Sequence, residues 1–93
     1  MRTTQRAASR VKGWGKVAPR TTNERRALLA RCGRAAFLDP DGLRFPVMPK
    51  AGGCVVDCRG ARVAYSRARQ YGHRAVAARA KRIGERGACA WAR

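Results

Sequence analysis

Four cysteines and one histidine are the side chains here best suited to chemistry: Cys32, Cys54, Cys58, Cys89 and His73. Cys54-Val-Val-Asp-Cys58 has a three-residue gap, within the range of zinc ligands. Cys54, Cys58 and Cys32, with either Cys89 or His73, could therefore complete a tetrahedral site. Cys32 and Cys89 are isolated in sequence, however, so the doubled Cys-x-x-Cys pattern of a zinc ribbon is absent. Disulfides are a second possibility, with one of the middle pair joined to Cys32. In so short a chain a bridge worth ~2–4 kcal/mol would matter. Reduced, partly buried thiols are the third, and the state expected of a cytosolic chain. His73 on its own reads as a residue at the start of a helix.

Catalysis has little to build on. The five acids are scattered, and Asp39, Asp41 and Asp57 are explained by turns and a helix cap. The sequence contains no Gly-rich phosphate loop, and no base stands beside a candidate nucleophile. The expectation is a protein that is not an enzyme and has no cofactor unless zinc is bound.

The cations are the larger signal. Twenty-two Lys+Arg against 5 Asp+Glu give a formal charge of +17. Only Lys12, Lys16, Lys50 and Lys81 are lysines; the rest are arginines, whose planar fork of donors fits phosphate bidentately. GC-rich coding also favours arginine, but it does not explain the shortage of acids. Charge of this size opposes compaction, and a bound polyanion would offset it. The candidate polyanion-binding residues are Arg2, Arg6, Arg10, Lys12, Lys16 and Arg20 near the N-terminus, Arg59, Arg62, Arg67 and Arg69 in one helix, and Arg74, Arg79, Lys81 and Arg82 in the next. Among the aromatics able to stack on bases, Trp14 reads as the exposed one, and Tyr65 and Trp91 as core. Signatures of sequence-specific reading are missing. Gly84-Glu85-Arg86-Gly87 has the GxxG spacing of a KH loop but lacks its flanking strands.

Residues 1–20 are basic and free of acids, with several Ser/Thr, glycines on either side of Trp14 and a proline at 19. That composition fits a mitochondrial transit peptide or, preferably, an extended basic arm that binds nucleic acid. The remaining residues, 21–93, read as one small domain. Thr21 and Glu24 have the spacing of a capping box, which starts a first helix that Gly33 ends. Asp39-Pro40-Asp41-Gly42 is a turn in which Gly42 supplies a positive φ, giving a hairpin at about 36–48 with Phe37, Leu43 and Phe45 inward. Asp57 caps a second helix, in which Ala61, Ala64, Tyr65 and Ala68 fall on one face. After Gly72 a third runs from about His73 to Glu85, with Val76, Ala80 and Ile83 inward. The tail from Ala88 to Trp91 folds back on the helix pair. The fold class is thus mainly α, with three short helices, one short β-hairpin and an extended N-terminal arm. No apolar run approaches the ~18–20 residues a membrane span requires.

Arg31-Cys32-Gly33, Phe37-Leu38-Asp39-Pro40, Phe45-Pro46-Val47, Cys54 with Asp57-Cys58-Arg59-Gly60, and Ala64-Tyr65-Ser66-Arg67-Ala68-Arg69-Gln70 occur in an order that resembles small basic cysteine-containing virion proteins of nucleocytoplasmic large DNA viruses. The likeness covers about residues 26–91. It implies a virion component present in many copies, found in host cytoplasm or nucleus during assembly. Its partner would be nucleic acid, DNA before RNA, in genome packaging. Alternatively the protein is a minor capsid or cement protein bridging acidic capsid surfaces, or a ribosomal protein whose arm threads rRNA. The resemblance also implies further cysteines at the positions of Ala36 and Met48, here lost together.

Overall fold

A computed structural model describes residues 12–93. Its elements are α1 (Trp14–Val17), α2 (Thr22–Cys32), β1 (Phe37–Asp39), β2 (Arg44–Pro46), α3 (Cys58–Gln70) and α4 (Arg74–Arg86). Single 3₁₀ turns occur at Arg34–Ala36 and Ala90–Ala92. Within the described residues the chain is mostly helical, with one two-stranded antiparallel hairpin.

The helix starts follow from their caps. The Glu24 N–H donates to Thr21 Oγ1 at 3.0 Å, and the Thr21 N–H donates back to Glu24 Oε1 at 3.1 Å, so two otherwise orphaned donors of α2 are satisfied. Asp57 accepts the Arg59 N–H at 2.8 Å and opens α3. Gly33 and Gly72, at φ 80° and 77°, turn the chain after α2 and α3 as a left-handed residue must.

The hairpin is the middle layer. Phe37 pairs with Pro46 and Asp39 with Arg44. Successive side chains of a strand point to opposite faces, and β1 uses both. Phe37 packs with Leu28, Ala36 and Met48 against α2, whereas Leu38 packs with Val47, Ala61, Ala64 and Ala80 against α3 and α4. The turn departs from expectation. Gly42 does not carry the positive φ; Leu43 (52°) and Phe45 (57°) do. A Cβ at Gly42 would lie 3.0 Å from Asp39 Oδ2 and 3.2 Å from Arg44 Nε. Glycine there makes room for the ion pair that closes the hairpin. Arg25 Nη1 holds the turn by donating to the Leu43 carbonyl at 2.9 Å.

Helices α3 and α4 meet through Ala61, Ala64, Ala68, Ala77, Ala80 and Gly84, all buried. Each helix of the pair also carries a tryptophan on a glycine. A Cβ at Gly60 would stand 2.5 Å from Trp14 Cη2, and one at Gly84 would stand 2.6 Å from Trp91 Cζ2. Trp91 is further fixed by its Nε1–H, which donates to the Cys58 carbonyl at 2.9 Å. Ala at a helical glycine gains up to ~1 kcal/mol of propensity, but overpacking costs ~1–3 kcal/mol. Gly84→Ala is therefore expected to destabilise the protein, and to do so less in a Trp91→Ala background, where the Ala92 Cβ at 3.0 Å still crowds the added methyl. Urea unfolding of the four chains of that cycle measures the difference.

The boundary of the arm moves. Trp14, Ala18 and Pro19 are buried, and the Lys50 N–H donates to the Val17 carbonyl at 2.8 Å. The chain from residue 14 onward is thus part of the domain, and α1 is a helix additional to the three expected. Sequence periodicity misses it because a four-residue helix is too short to show a repeat. Residues 1–11 of the expected arm, with Arg2, Arg6 and Arg10, lie outside the described residues.

Candidate polyanion interface

The cysteines form two bridges, Cys32–Cys54 and Cys58–Cys89. The neighbours Cys54 and Cys58 go to different partners, so their three-residue gap defines no shared site. Among the described residues no group of three or more His, Cys, Asp or Glu is placed to hold a metal ion. His73 sits at the N-terminus of α4 with its ring edge-on to Phe45, centroids 5.5 Å apart. The two bridges have different jobs. One ties the end of α2 to the loop before α3. The other ties the first residue of α3 to the C-terminal segment that seats Trp91 on Gly84.

The acids decide which cations remain available. All five are engaged: Glu24 with Lys50 (3.5 Å), Asp39 with Arg44 (2.7 Å), Asp41 with Arg34 (3.0 Å), Asp57 with Arg59 (2.7 Å) and Glu85 with Lys81 (3.6 Å). Further arginines serve the backbone. Arg31 donates to the carbonyls of Gly52, Pro49 and Lys50, pinning the loop that carries Cys54. Arg79 Nη2 donates to the Leu38 carbonyl at 2.7 Å, fastening α4 to β1. Of the expected polyanion-binding residues, Arg59 and Arg79 are therefore primarily structural. Arg69 is held by Tyr65, with Nη1 3.2 Å from the phenol oxygen and the guanidinium over the ring. Lys12, Lys16, Arg20, Arg62, Arg67, Arg74 and Arg82 are exposed, and their side chains have no hydrogen-bonding or ionic partner among the described residues. Arg26, Arg86 and Arg93 share that state and extend the sequence-derived set. Local spacing pairs Arg59 with Asp57 and Lys81 with Glu85, but it does not single out Arg31 or Arg79, whose partners are carbonyls distant in sequence.

The aromatics are also redistributed. Trp14 is 5% exposed beneath α3 and cannot stack on a base. Tyr71, between α3 and α4, is 64% exposed and takes the place expected of Trp14. Gly84-Glu85-Arg86-Gly87 is the last turn of α4, with Gly84 under Trp91, and does not form a loop of the KH kind.

Local bonds hold three carboxylates below their ordinary range. The causes are the Arg20 and Thr21 N–H groups for Glu24, the Arg44 side chain for Asp39 and the Arg59 side chain for Asp57. A lowered folded-state pKa contributes stability above the unfolded value of ~4, lost as pH falls through the folded value. The melting temperature is expected to hold from pH 7 to 5 and to fall below about pH 4. Asp57→Asn should flatten part of that fall in a calorimetric pH series.

Comparison with known protein families, curated proteins and solved structures yields no match. Among the described residues no helix is long and apolar enough to cross a membrane.

Proposed function

We propose that this protein is a non-enzymatic polyanion-binding component of a virus particle, with nucleic acid, DNA before RNA, as its partner. One observation carries the reading: every acid is already paired, so the excess positive charge faces outward unneutralised. Phosphate contact with such a surface supplies most of the affinity of non-specific nucleic-acid binding.

The layout adds a role. Arg20 and Arg26 belong to α2 and the segment before it, while Lys16 of α1, which packs on α3 through Trp14 and Gly60, joins Arg62, Arg67, Arg74 and Arg82 of α3 and α4. The hairpin packs between α2 and the α3–α4 pair. Cations on both sides of a nearly neutral middle layer suit an element that bridges two anionic surfaces, whether two strands or a genome and an acidic capsid face. That arrangement is what favours the second reading, a minor capsid or cement protein. The virion setting rests on the motif order that resembles proteins of large DNA viruses. Ala36 and Met48, where that resemblance implies a further cysteine pair, lie together in one buried cluster. Two disulfides suit a particle that has left the reducing cytoplasm. The rRNA-threading reading draws no support from residues 14–19, which are packed into the domain.

A mobility-shift titration with random-sequence duplex DNA at low salt tests the reading. Binding without sequence preference is expected. Absence of any shift would reject the genome-binding form. Locating the chain in the shell or in the core of the particle then separates cement from genome tether.

A further inference from the structure

We propose that the groove between the end of α3 and the start of α4 is a subsite for two successive phosphates of a nucleic-acid strand. This inference rests on the polyanion reading above and gives it a place. The groove is open to solvent, offers about 440 Å³ and is lined by Tyr65 and Arg69 from α3 and by Arg74 and Lys81 from α4. The other lining residues are Gly72 and two alanines.

Helical spacing produces the arrangement. Tyr65 and Arg69 are four residues apart and share a face of α3. Arg74, Ala77, Ala78 and Lys81 fall at i, i+3, i+4 and i+7 and share a face of α4. The two faces meet across the turn at Gly72, so three cations from two elements line one concavity. Arg69 is oriented in advance by the Tyr65 hydroxyl and ring, which lowers the ordering cost of binding. Arg74 has no partner among the described residues. Lys81 has only the exposed Glu85 at 3.6 Å, a pair that gives way readily to a stronger anion.

Three cations exceed the charge of one phosphodiester, and the volume exceeds what one phosphate fills. Two neighbouring phosphates with the sugar between them match both. The small uncharged residues leave depth for a strand to enter. Carboxylates on a rigid capsid face would instead meet the outward cations Arg62, Arg67 and Arg82. The groove thus favours nucleic acid over an acidic protein surface.

The test compares two triple variants of equal charge loss by fluorescence anisotropy on a labelled duplex, at several salt concentrations. One is Arg69→Gln, Arg74→Gln, Lys81→Gln in the groove; the other is Lys16→Gln, Arg20→Gln, Arg26→Gln away from it. The groove triple is expected to bind at least ~10-fold more weakly than the control triple and to reduce the log–log salt slope by about 2, since each phosphate contributes about 0.9. Equal loss in both triples would overturn the groove while leaving the polyanion reading standing. Failure of the unsubstituted protein to bind at low salt would overturn both. Loss of polyglutamate binding in the groove triple, with DNA binding kept, would overturn the assignment to phosphate. If the groove triple does not fold, titration of the unsubstituted protein with inorganic pyrophosphate, followed by amide NMR, decides. Gly72, Ala77 and Ala78 should shift at lower concentration than Ala27 and Ala30 on α2, and simultaneous shifts would overturn the proposal.

Discussion

Reducing both disulfides is expected to unfold the free protein near room temperature. The bridges close separations of 22 and 31 residues. On the chain-entropy account each removes about 3–4 kcal/mol of freedom from the unfolded state. A domain this small has a total stability of roughly 4–12 kcal/mol, at about 0.05–0.15 kcal/mol per residue, so the two bridges together amount to most of it. The rest of the structure offers little reserve. The α3–α4 contact is built largely from alanine, which buries little area per residue, and the charge of +17 repels itself. Removing one bridge should lower the melting temperature by about 12–30 °C, at ~4–8 °C per kcal/mol for a domain of this size. Cys58→Ser with Cys89→Ser should cost at least as much as the other double variant, because it also releases Trp91 from Gly84. Circular dichroism melts with and without reductant measure this. Four freely titrating thiols in native protein, with an unchanged melt, would contradict the bridged structure. DNA at a hundred times its dissociation constant should restore about 2.7 kcal/mol to the reduced chain if only the folded form binds.

Much of the fold was legible because its signals are local. Thr21 with Glu24 and Asp57 before Cys58 mark helix starts by side chains that satisfy nearby N–H groups. Asp39-Pro40-Asp41-Gly42 marks a reversal, and the alanine spacing of α3 marks a buried face. Other features depend on partners distant in sequence. Trp14 looks exposed until Gly60, in another helix, is seen to lie beneath its ring. A bridge from Cys32 to one of the middle pair was legible, but which one was not, since four cysteines admit three connectivities and the partners lie 22 and 31 residues apart. Gly42 looked like the positive-φ residue of the turn, but Arg25 and the closing ion pair place that conformation on Leu43 and Phe45 instead. The candidate site divides in the same way. The excess of cations was plain, and so was their presence on both halves of the chain. Their division into structural arginines such as Arg31 and Arg79 and outward ones such as Arg74 was not, because it depends on which carbonyls the fold leaves unpaired.

The second large effect is salt. A surface whose own acids are all engaged meets DNA chiefly by displacing condensed counterions, and that contribution disappears as bulk salt rises. With about six to ten phosphates contacted, affinity should fall ~10³–10⁵-fold between about 50 and 200 mM salt. A cement role against folded acidic proteins would give a shallower dependence, as exposed ion pairs are individually weak. The most direct measurement of the central claim is therefore a salt titration of binding to random duplex DNA, plotted as log affinity against log salt. A straight line with a slope of about −5 to −9 is the predicted result. A slope near zero, or no binding at 50 mM salt, would contradict it.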